Sequence, residues 1–442
     1  MKVRLKVLRD KLSGNFWLVP SVMTFAAILL AMAAVALDDS EHGAWLRRGA
    51  WLDRLQVENA RLIVSTIAGS MITVTSLVFS LTLIALTLAS QQLGPRLLSV
   101  FMRDRITQVV LGLFVSTFVY SLLILAALSE VDDAWSTPVL SILVALLLTV
   151  VSVGFLISFI HHLASSMQAD TMIARIGAEL TRRVEILFPE RADDISSGHD
   201  DAGRIDERPD GAAEIGAAES GYVQSVDLDA LLECACVHDL KLVLHCRAGD
   251  FVCRGEAIAS VSPKANVNSA VSEAVLSAVA LGPTRTPVQD LEFAMGAIVE
   301  IALRALSPGV NDPYTAVTCV DRLGDTLSRV LHRGPRTGRR VDEHGELRVI
   351  SPIITFDNVM DMAFNEIRQS ARENVAITLR LLDTFVRLAR LVRGEAAGAA
   401  IRRHAGMVER SSKRFVTEPE DLEDVARRMT RLRELLDETA PA

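Results

Sequence analysis

Long apolar stretches dominate the first 165 residues, and short polar segments separate them. Residues 16–37, 62–90, 106–128 and 138–160 contain no Asp, Glu, Lys or Arg. An uncharged apolar stretch of about 18 residues or more is typical of a transmembrane helix. A helix of about 22 residues covers about 33 Å, enough to cross the apolar core of a bilayer. The pattern predicts four transmembrane helices.

The second apolar stretch also carries hydroxyl and glycine residues at intervals of three, four and seven, which places them on one helical face. Such a face either packs closely on other helices or lines a path that holds water. We favour the second interpretation. The candidate pore-lining residues are Thr66, Gly69, Ser70, Thr73, Ser76, Ser80, Thr87 and Gln91.

The charges in the short polar segments alternate in sign. The first eleven residues, the segment after the second stretch and the segment after the fourth are basic, whereas the segment after the third contains only acidic charges. Because basic loops stay in the cytoplasm, this pattern predicts that both termini are cytoplasmic. A cleavable signal peptide ending at Ala34-Val35-Ala36 is the alternative for the first stretch. That stretch is longer than the usual apolar region of a signal peptide, so we favour an intact span.

The rest of the chain is charged and looks soluble. We predict a membrane domain over 1–162, a helical extension over 163–189 and an acidic, flexible linker over 190–219. A small β-rich module is expected over 220–265, because short apolar stretches alternate there with turn residues. A mainly helical part follows over 266–442. The fold class is therefore an α-helical polytopic membrane domain followed by a mainly α, α+β cytoplasmic domain.

A helix–turn–helix segment lies in the helical part. Asp290 is a suitable N-cap for its first helix, which stops near Ser307-Pro308-Gly309. Asp312 and Pro313 then predict the start of the second helix. The segment is either a capped corner with ordinary packing or part of a gate or ligand site.

Two regions contribute gating candidates. The Gly94-Pro95 pair predicts a helix stop, and the amphipathic segment 96–105 that follows could lie at the membrane surface as a lever. In the helix–turn–helix segment, Glu300 and Arg304 are spaced so that they could pair. The gating or interface candidates are Gly94, Pro95, Arg96, Arg103, Arg105, Glu300, Arg304, Asn311 and Asp312.

Catalytic and metal-binding chemistry is not indicated. The chain has five cysteines, and their spacing predicts reduced thiols. Zinc-ligand residue types cluster between 234 and 253, but without the spacing of a zinc site, so we expect no metal and no cofactor. The phosphate-binding, zinc-protease and nucleophile-elbow motifs are absent, and the apolar stretches hold no ionisable catalytic group, so we expect no enzyme. The net charge of −8 argues against nucleic acid as a partner.

Several blocks of the sequence resemble a family of predicted bacterial inner-membrane proteins known as a domain of unknown function. The blocks are FSLTLIALTLASQQLGPRLL (79–98), RDRITQVVLGLFVSTFVY (103–120), SGYVQSVD (220–227), AGDFV (248–252) and EIALRALSPGVNDPYTAV (300–317). The resemblance covers nearly the whole chain. It implies a location in the bacterial inner (cytoplasmic) membrane, and it brings no activity, substrate or catalytic residue.

Two hypotheses of function follow from these patterns. In the first, the chain forms a homo-oligomer in the lipid bilayer whose second spans surround an axis and conduct an ion. In the second, it is a membrane-anchored regulatory or scaffolding protein, and the small residues only allow close helix packing. An intramembrane enzyme is a third and less favoured reading.

Overall fold

The computed structural model describes residues 16–38, 57–93, 104–129, 138–166, 169–188, 211–334 and 338–438. The chain divides into two compact units. Of the described residues, those between 16 and 166 form the membrane unit, and those between 169 and 438 form the soluble unit. The predicted boundary after residue 162 lies close to this division.

The membrane unit contains four helices that are long and apolar enough to cross a bilayer, which confirms the predicted class. They are α1 (Leu18–Asp38), α2 (Val57–Leu93), α3 (Arg105–Ser129) and α4 (Val139–Ser166). Helix α3 is the most buried of them, and it packs against each of the other three. Its Phe114, Tyr120 and Ile124 are fully buried in the centre of this bundle.

Charged side chains form hydrogen bonds between the ends of these helices. Asp38, at the end of α1, is buried and accepts hydrogen bonds from the backbone N–H groups of Leu140 and Ser141 at 3.0 and 2.9 Å. It also accepts a bond from the Ser141 hydroxyl at 2.7 Å. Arg61 donates to the Leu128 carbonyl at the end of α3. Both contacts satisfy backbone groups that a helix terminus leaves unpaired.

The soluble unit begins with α5 (Ala169–Leu187). The sequence predicted one helical extension of the fourth span over 163–189. The structure has α4 as far as Ser166 and a separate helix from Ala169, with residues 167 and 168 outside the described part.

Two small sheets follow. Their strands are β1 (Ala213–Gly216), β2 (Gly221–Val226), β3 (Lys241–Leu244), β4 (Phe251–Val252), β5 (Ala257–Ser262), β6 (Val279–Gly282), β7 (Arg339–Val341) and β8 (Leu347–Ile350). One sheet has the order β1-β5-β3-β8-β7 and the other β4-β2-β6. All neighbours are antiparallel except β3 and β8. Helices α6 (Leu228–Val237) and α7 (Ser269–Ala278) and a 3₁₀ turn at Lys264–Asn266 complete the module.

The β-rich module is larger than the predicted range of 220–265. Strand β1 lies inside the stretch predicted as a flexible linker, and its Ile215 is buried against the module core. Strands β7 and β8 come from the range 266–442, which was predicted to be mainly helical. They pair as a hairpin, and Val349 of β8 is buried in the same core. Short strands with exposed arginines give little apolar periodicity, so the sequence did not reveal them.

The remainder of the soluble unit is helical, as predicted. Its helices are α8 (Leu291–Ala305), α9 (Pro313–Arg333), α10 (Phe356–Ser370), α11 (Val375–Ala389), α12 (Glu395–Phe415) and α13 (Pro419–Glu438). The side chain of Asp290 accepts from the N–H of Phe293 at 2.9 Å, so the predicted cap of α8 is present. Arg285 holds this buried carboxylate with two further hydrogen bonds.

Candidate functional site

The hydroxyl face of α2 points away from the other helices of the membrane unit. Helix α2 is continuous over all the residues of the predicted face. Each of these residues whose burial the structure describes is exposed. The exposed members are Thr66, Gly69, Ser70, Thr73, Ser76, Ser80 and Thr87. Gln91 lies in the last turn of the same helix. The structure therefore brings the seven candidates between Thr66 and Thr87 together on one open face.

The packing face of α2 lies on the opposite side of the helix. Ala60, Val64, Met71 and Val78 are buried against the other helices of the membrane unit. At about 100° per residue, these positions are centred about 180° from the hydroxyl face. Residues that contact the other spans are thus distinct from the hydroxyl residues. The described helices of the same protomer do not cover the candidate face.

The hydroxyls of this face are bonded to their own helix. Those of Thr66 and Thr73 donate to the carbonyl oxygens of Leu62 and Gly69, four residues earlier, at 2.7 and 2.9 Å. Ser76 makes the same kind of bond at 3.0 Å. A hydroxyl has one donor and two acceptor lone pairs, so these oxygens can still accept a hydrogen bond or face a cation. The face offers hydroxyl oxygen without fixed charge.

Most of the predicted lever cannot be placed. Gly94, Pro95, Arg96 and Arg103 lie outside the described residues. Arg105 is the first residue of α3, and its side chain is exposed.

Next to the lever, an acid–imidazole contact joins α3 to α4. Asp104 accepts from the hydroxyl of Thr107 at 3.0 Å and lies 2.6 Å from the Nε2 atom of His162. Both side chains are mostly buried. The sequence places His161 and His162 directly after the fourth apolar stretch, 138–160. The N-cap spacing of Asp104 and Thr107 was visible in it, but the histidine partner was not, because it lies 58 positions away.

The helix–turn–helix segment is a capped corner. Asp312 accepts from the N–H and the hydroxyl of Thr315, at 3.1 and 2.6 Å, which confirms the predicted cap of α9. These two bonds, the hydroxyl first, lower the pKa of the Asp312 carboxyl. Asn311 has a φ of 50°, the left-handed conformation that asparagine adopts more readily than most residues. Glu300 and Arg304 are half-buried on α8, and their mutual pairing stays a prediction.

A polar cluster around the buried His404, between α10 and α12, was not foreseen. The Nε2 atom of His404, a fully buried residue, lies 3.1 Å from Asp361, and Arg403 donates to Asp361 at 2.8 Å and to Asp357 at 2.7 Å. Burial and, to a lesser degree, the charge of Arg403 lower the pKa of His404 to about 4. The imidazole is therefore neutral at physiological pH. The partners lie more than 40 positions apart, so no local motif reveals the cluster.

The cysteines form no disulfide bonds. All five cysteines are free. Burial raises the pKa of Cys246 and of Cys319 to about 12, so both stay protonated. Among the described residues, no group of three or more histidine, cysteine, aspartate and glutamate side chains is arranged to hold a metal ion.

Comparison with known proteins places the chain in a family. The family model described as "Predicted membrane protein (DUF2254)" matches residues 13–387. The chain belongs to the DUF2254 family of predicted membrane proteins. An uncharacterized protein of Mycobacterium tuberculosis (strain ATCC 25618 / H37Rv) is 31% identical over 432 residues, which cover 95% of this chain and 80% of the relative. An uncharacterized protein of Mycobacterium bovis has the same identity and coverage. No solved structure matches the chain.

Membership of DUF2254 confirms the resemblance seen in the sequence and the assignment as a membrane protein. The matched range includes all four spans, the β-rich module and the capped corner at Asp312. It ends within α11, so α12 and α13 lie beyond the family model.

Proposed function

We propose that this DUF2254 protein forms a homo-oligomer whose second spans surround a central axis and conduct an ion. Helix α2 contributes the hydroxyl face to the lining of the path. In this arrangement the packing face of each α2 stays against its own protomer, while the opposite face meets the axis. The soluble unit sets the number of subunits and acts on the gate.

The observation that carries the proposal is the exposure of the hydroxyl face directly opposite the packing face. If the small and hydroxyl residues served only the packing of one protomer, they would lie with Val64, Met71 and Val78 on the buried side. The seven exposed candidates lie on the other side instead, and Thr75 is a hydroxyl residue that does lie on the buried side. A face of this kind supports association with something outside the protomer, either another copy or water.

The chemistry of the face suits weak and transient ion contact. Between residues 62 and 90 the helix carries no charged side chain, so a passing ion meets hydroxyl oxygen and not a fixed charge. Conduction requires binding that is weak enough to release the ion. The segment from Gly94 to Arg105 connects α2 to α3 and is the natural place for a gate. The proposal includes no catalytic step, cofactor or nucleic acid.

The charge pattern of the loops supports a definite orientation. Basic residues precede the first span and follow the second and the fourth, so we infer that both termini and the soluble unit are cytoplasmic. The membrane is then the inner membrane of a bacterium, as expected for the resemblance noted in the sequence.

A membrane-anchored scaffold is the second candidate, and one observation favours it. The hydroxyls of Thr66, Thr73 and Ser76 already donate to their own helix, so they need no water to be satisfied. Small residues then let two α2 helices approach closely without any path between them. Both candidates predict that copies of the chain associate through this face. They differ in whether a water-filled path lies between the α2 helices.

Ion flux from liposomes that contain the purified chain tests the proposal. We expect flux of small ions, and we expect Thr73→Phe and Ser80→Phe to block it, because a bulky ring fills the axis. Ile72→Phe is the matched control. Ile72 is exposed on the same helix but lies about 100° from Thr73, so its enlargement is expected to leave the flux unchanged. Absence of flux under voltage, membrane tension and pH change would contradict conduction.

Disulfide trapping separates the remaining outcomes. With Thr73→Cys, oxidation is expected to link neighbouring copies, whereas Ile72→Cys is expected to link poorly. Linking without flux supports the scaffold. If neither variant links copies, the face meets lipid and both candidates are wrong.

A further inference from the structure

An exposed apolar tip connects α8 to α9. Tyr314 is 84% exposed, more than any other large apolar side chain in the described part of the chain, and Val310 is 53% exposed. Pro308 and Gly309, between the two helices, are exposed as well. Isolated exposed apolar residues are common, but these four lie in one turn. We define the α8–α9 tip as residues 308–314.

The turn that carries this tip is fixed by backbone hydrogen bonds. The N–H of Asp312 donates to the Ala305 carbonyl at 2.7 Å, and the N–H of Asn311 donates to the Ser307 carbonyl at 2.9 Å. The Asp312 carboxylate accepts both hydrogen bonds from Thr315, so it caps α9. A surface held in one conformation binds without a further ordering cost.

The tip lies at the same end of the soluble unit as the start of α5. Helix α9 runs alongside α5 in the same direction, because the Arg322 side chain lies beside Gly177 and Arg333 donates to the Phe188 carbonyl at 2.7 Å. In both contacts the partners are 145 positions apart. Since the two helices rise equally per residue, this register places Tyr314 level with Ala169.

Ala169 is tied to the membrane by the chain itself. It follows Ser166, the last residue of α4, by three positions, and the candidate span ends at Ser165. Three residues extend at most about 11 Å, so Ala169 lies within about 11 Å of the end of α4. The headgroup layer on each side of the apolar core is about 5 to 8 Å thick.

We propose that the α8–α9 tip inserts Val310 and Tyr314 into the lipid headgroup layer at the leaflet where the fourth span ends. Tyrosine suits that layer, because its ring is apolar and its hydroxyl reaches water or headgroups. The contact fixes the soluble unit at a second point, in addition to the covalent link at 166–169. It does not depend on whether the protein conducts ions.

Spin labelling of the full chain in lipid nanodiscs tests the proposal. Cys234, Cys236 and Cys253 are replaced by serine, whereas Cys246 and Cys319 remain, because their buried, protonated thiols do not react at neutral pH. A label is then attached at Tyr314→Cys. The replaced side chain is almost fully exposed, so the fold keeps its packing. The control label is attached at Val237→Cys, another exposed apolar position of the soluble unit, at the end of α6.

The measurement is the relative access of oxygen, which concentrates in lipid, and of a water-soluble nickel complex. We expect the ratio of oxygen to nickel access to be severalfold higher at 314 than at 237, and to fall to the value at 237 in a lipid-free amphipol. Equal ratios at both sites in nanodiscs would overturn the proposal. So would spin–spin broadening at 314 with exclusion of both reagents, because that result shows that a second copy covers the tip.

Discussion

The two units of this protein use polar side chains in different ways. In the membrane unit many of them lie at helix ends or bond to their own helix, as Asp38 and Thr73 do. Away from the helix ends, contacts between its helices are made by uncharged groups, such as the buried hydroxyls of Thr117 and Ser152, 3.2 Å apart. In the soluble unit they link neighbouring helices through half-exposed ion pairs, such as Asp321 with Arg380 and Arg387. The difference follows from the surroundings. Lipid cannot replace a lost hydrogen bond, whereas water can.

This comparison makes a quantitative claim. Removal of a polar group is expected to cost most where it leaves buried partners unsatisfied, and least where water reaches the partners.

The largest effect is expected for Asp38→Ala. The substitution removes every acceptor oxygen of a buried carboxylate and leaves two N–H groups at the start of α4 without their partner. Loss of a helix cap together with buried unsatisfied donors predicts a loss of about 4 kcal/mol in the free energy of unfolding. Unfolding by SDS, followed by tryptophan fluorescence, is the appropriate measurement, because all four tryptophans precede residue 136.

Asp38→Asn is the matched control. It keeps one acceptor oxygen, so its loss is expected to be about 1 to 2 kcal/mol. If Asp38→Ala unfolds at the same SDS concentration as the unmodified chain, the carboxylate does not hold α1 to α4 in the way the geometry indicates.

The next effect is the acid sensitivity of the soluble unit through His404. Its pKa is about 4 in the folded state, against 6.5 for an unperturbed histidine. The unfolded chain therefore binds a proton below pH 6.5 that the folded chain does not bind until about pH 4. The contribution of His404 to the free energy of unfolding is fully present above pH 6.5. It is lost as the pH drops toward 4, which lowers the free energy of unfolding by up to about 3 kcal/mol.

Urea unfolding of the detergent-solubilised chain, followed by far-UV circular dichroism between pH 7 and 4.5, measures this dependence. His404→Gln is expected to be less stable at pH 7 but to lose less stability across that range. Asp357, Asp361 and Arg403 also face the imidazole. If the free energy of unfolding of the unmodified chain stays constant from pH 7 to 4.5, the pKa of His404 is not lowered in the folded state.

A third and smaller effect compares the two faces of α2. Thr75 is buried on the packing face and Thr73 is exposed on the hydroxyl face, although each donates to the carbonyl four residues earlier. Thr75→Leu is expected to overpack the bundle and to cost about 2 kcal/mol. Thr73→Leu is expected to change the SDS unfolding midpoint very little in the monomeric protein. If the two variants lose the same free energy of unfolding, both faces of α2 are packed against other helices.

These cases show how far the sequence alone could lead. The spans, the hydroxyl face and the caps at Asp290 and Asp312 depend on local periodicity or on residues three apart, so the pattern predicted them. The pairs Asp104–His162 and Asp361–His404 join residues distant in the chain, and no local signal marks them. The hairpin at 339–350 was missed because its strands are short and rich in arginine.

The smallest effect is expected for Asp321→Ala. Its carboxylate bonds Arg380 and Arg387, but about a third of the Asp321 side chain is exposed, so water can hydrate the arginines once it is gone. The expected loss is about 0.5 kcal/mol by urea unfolding, and salt screening should reduce it at about 1 M NaCl. The Asp38→Ala loss should persist at the same salt concentration in the SDS assay, because its partners are backbone N–H groups buried with it. A loss for Asp321→Ala as large as that for Asp38→Ala would remove the distinction between the two units.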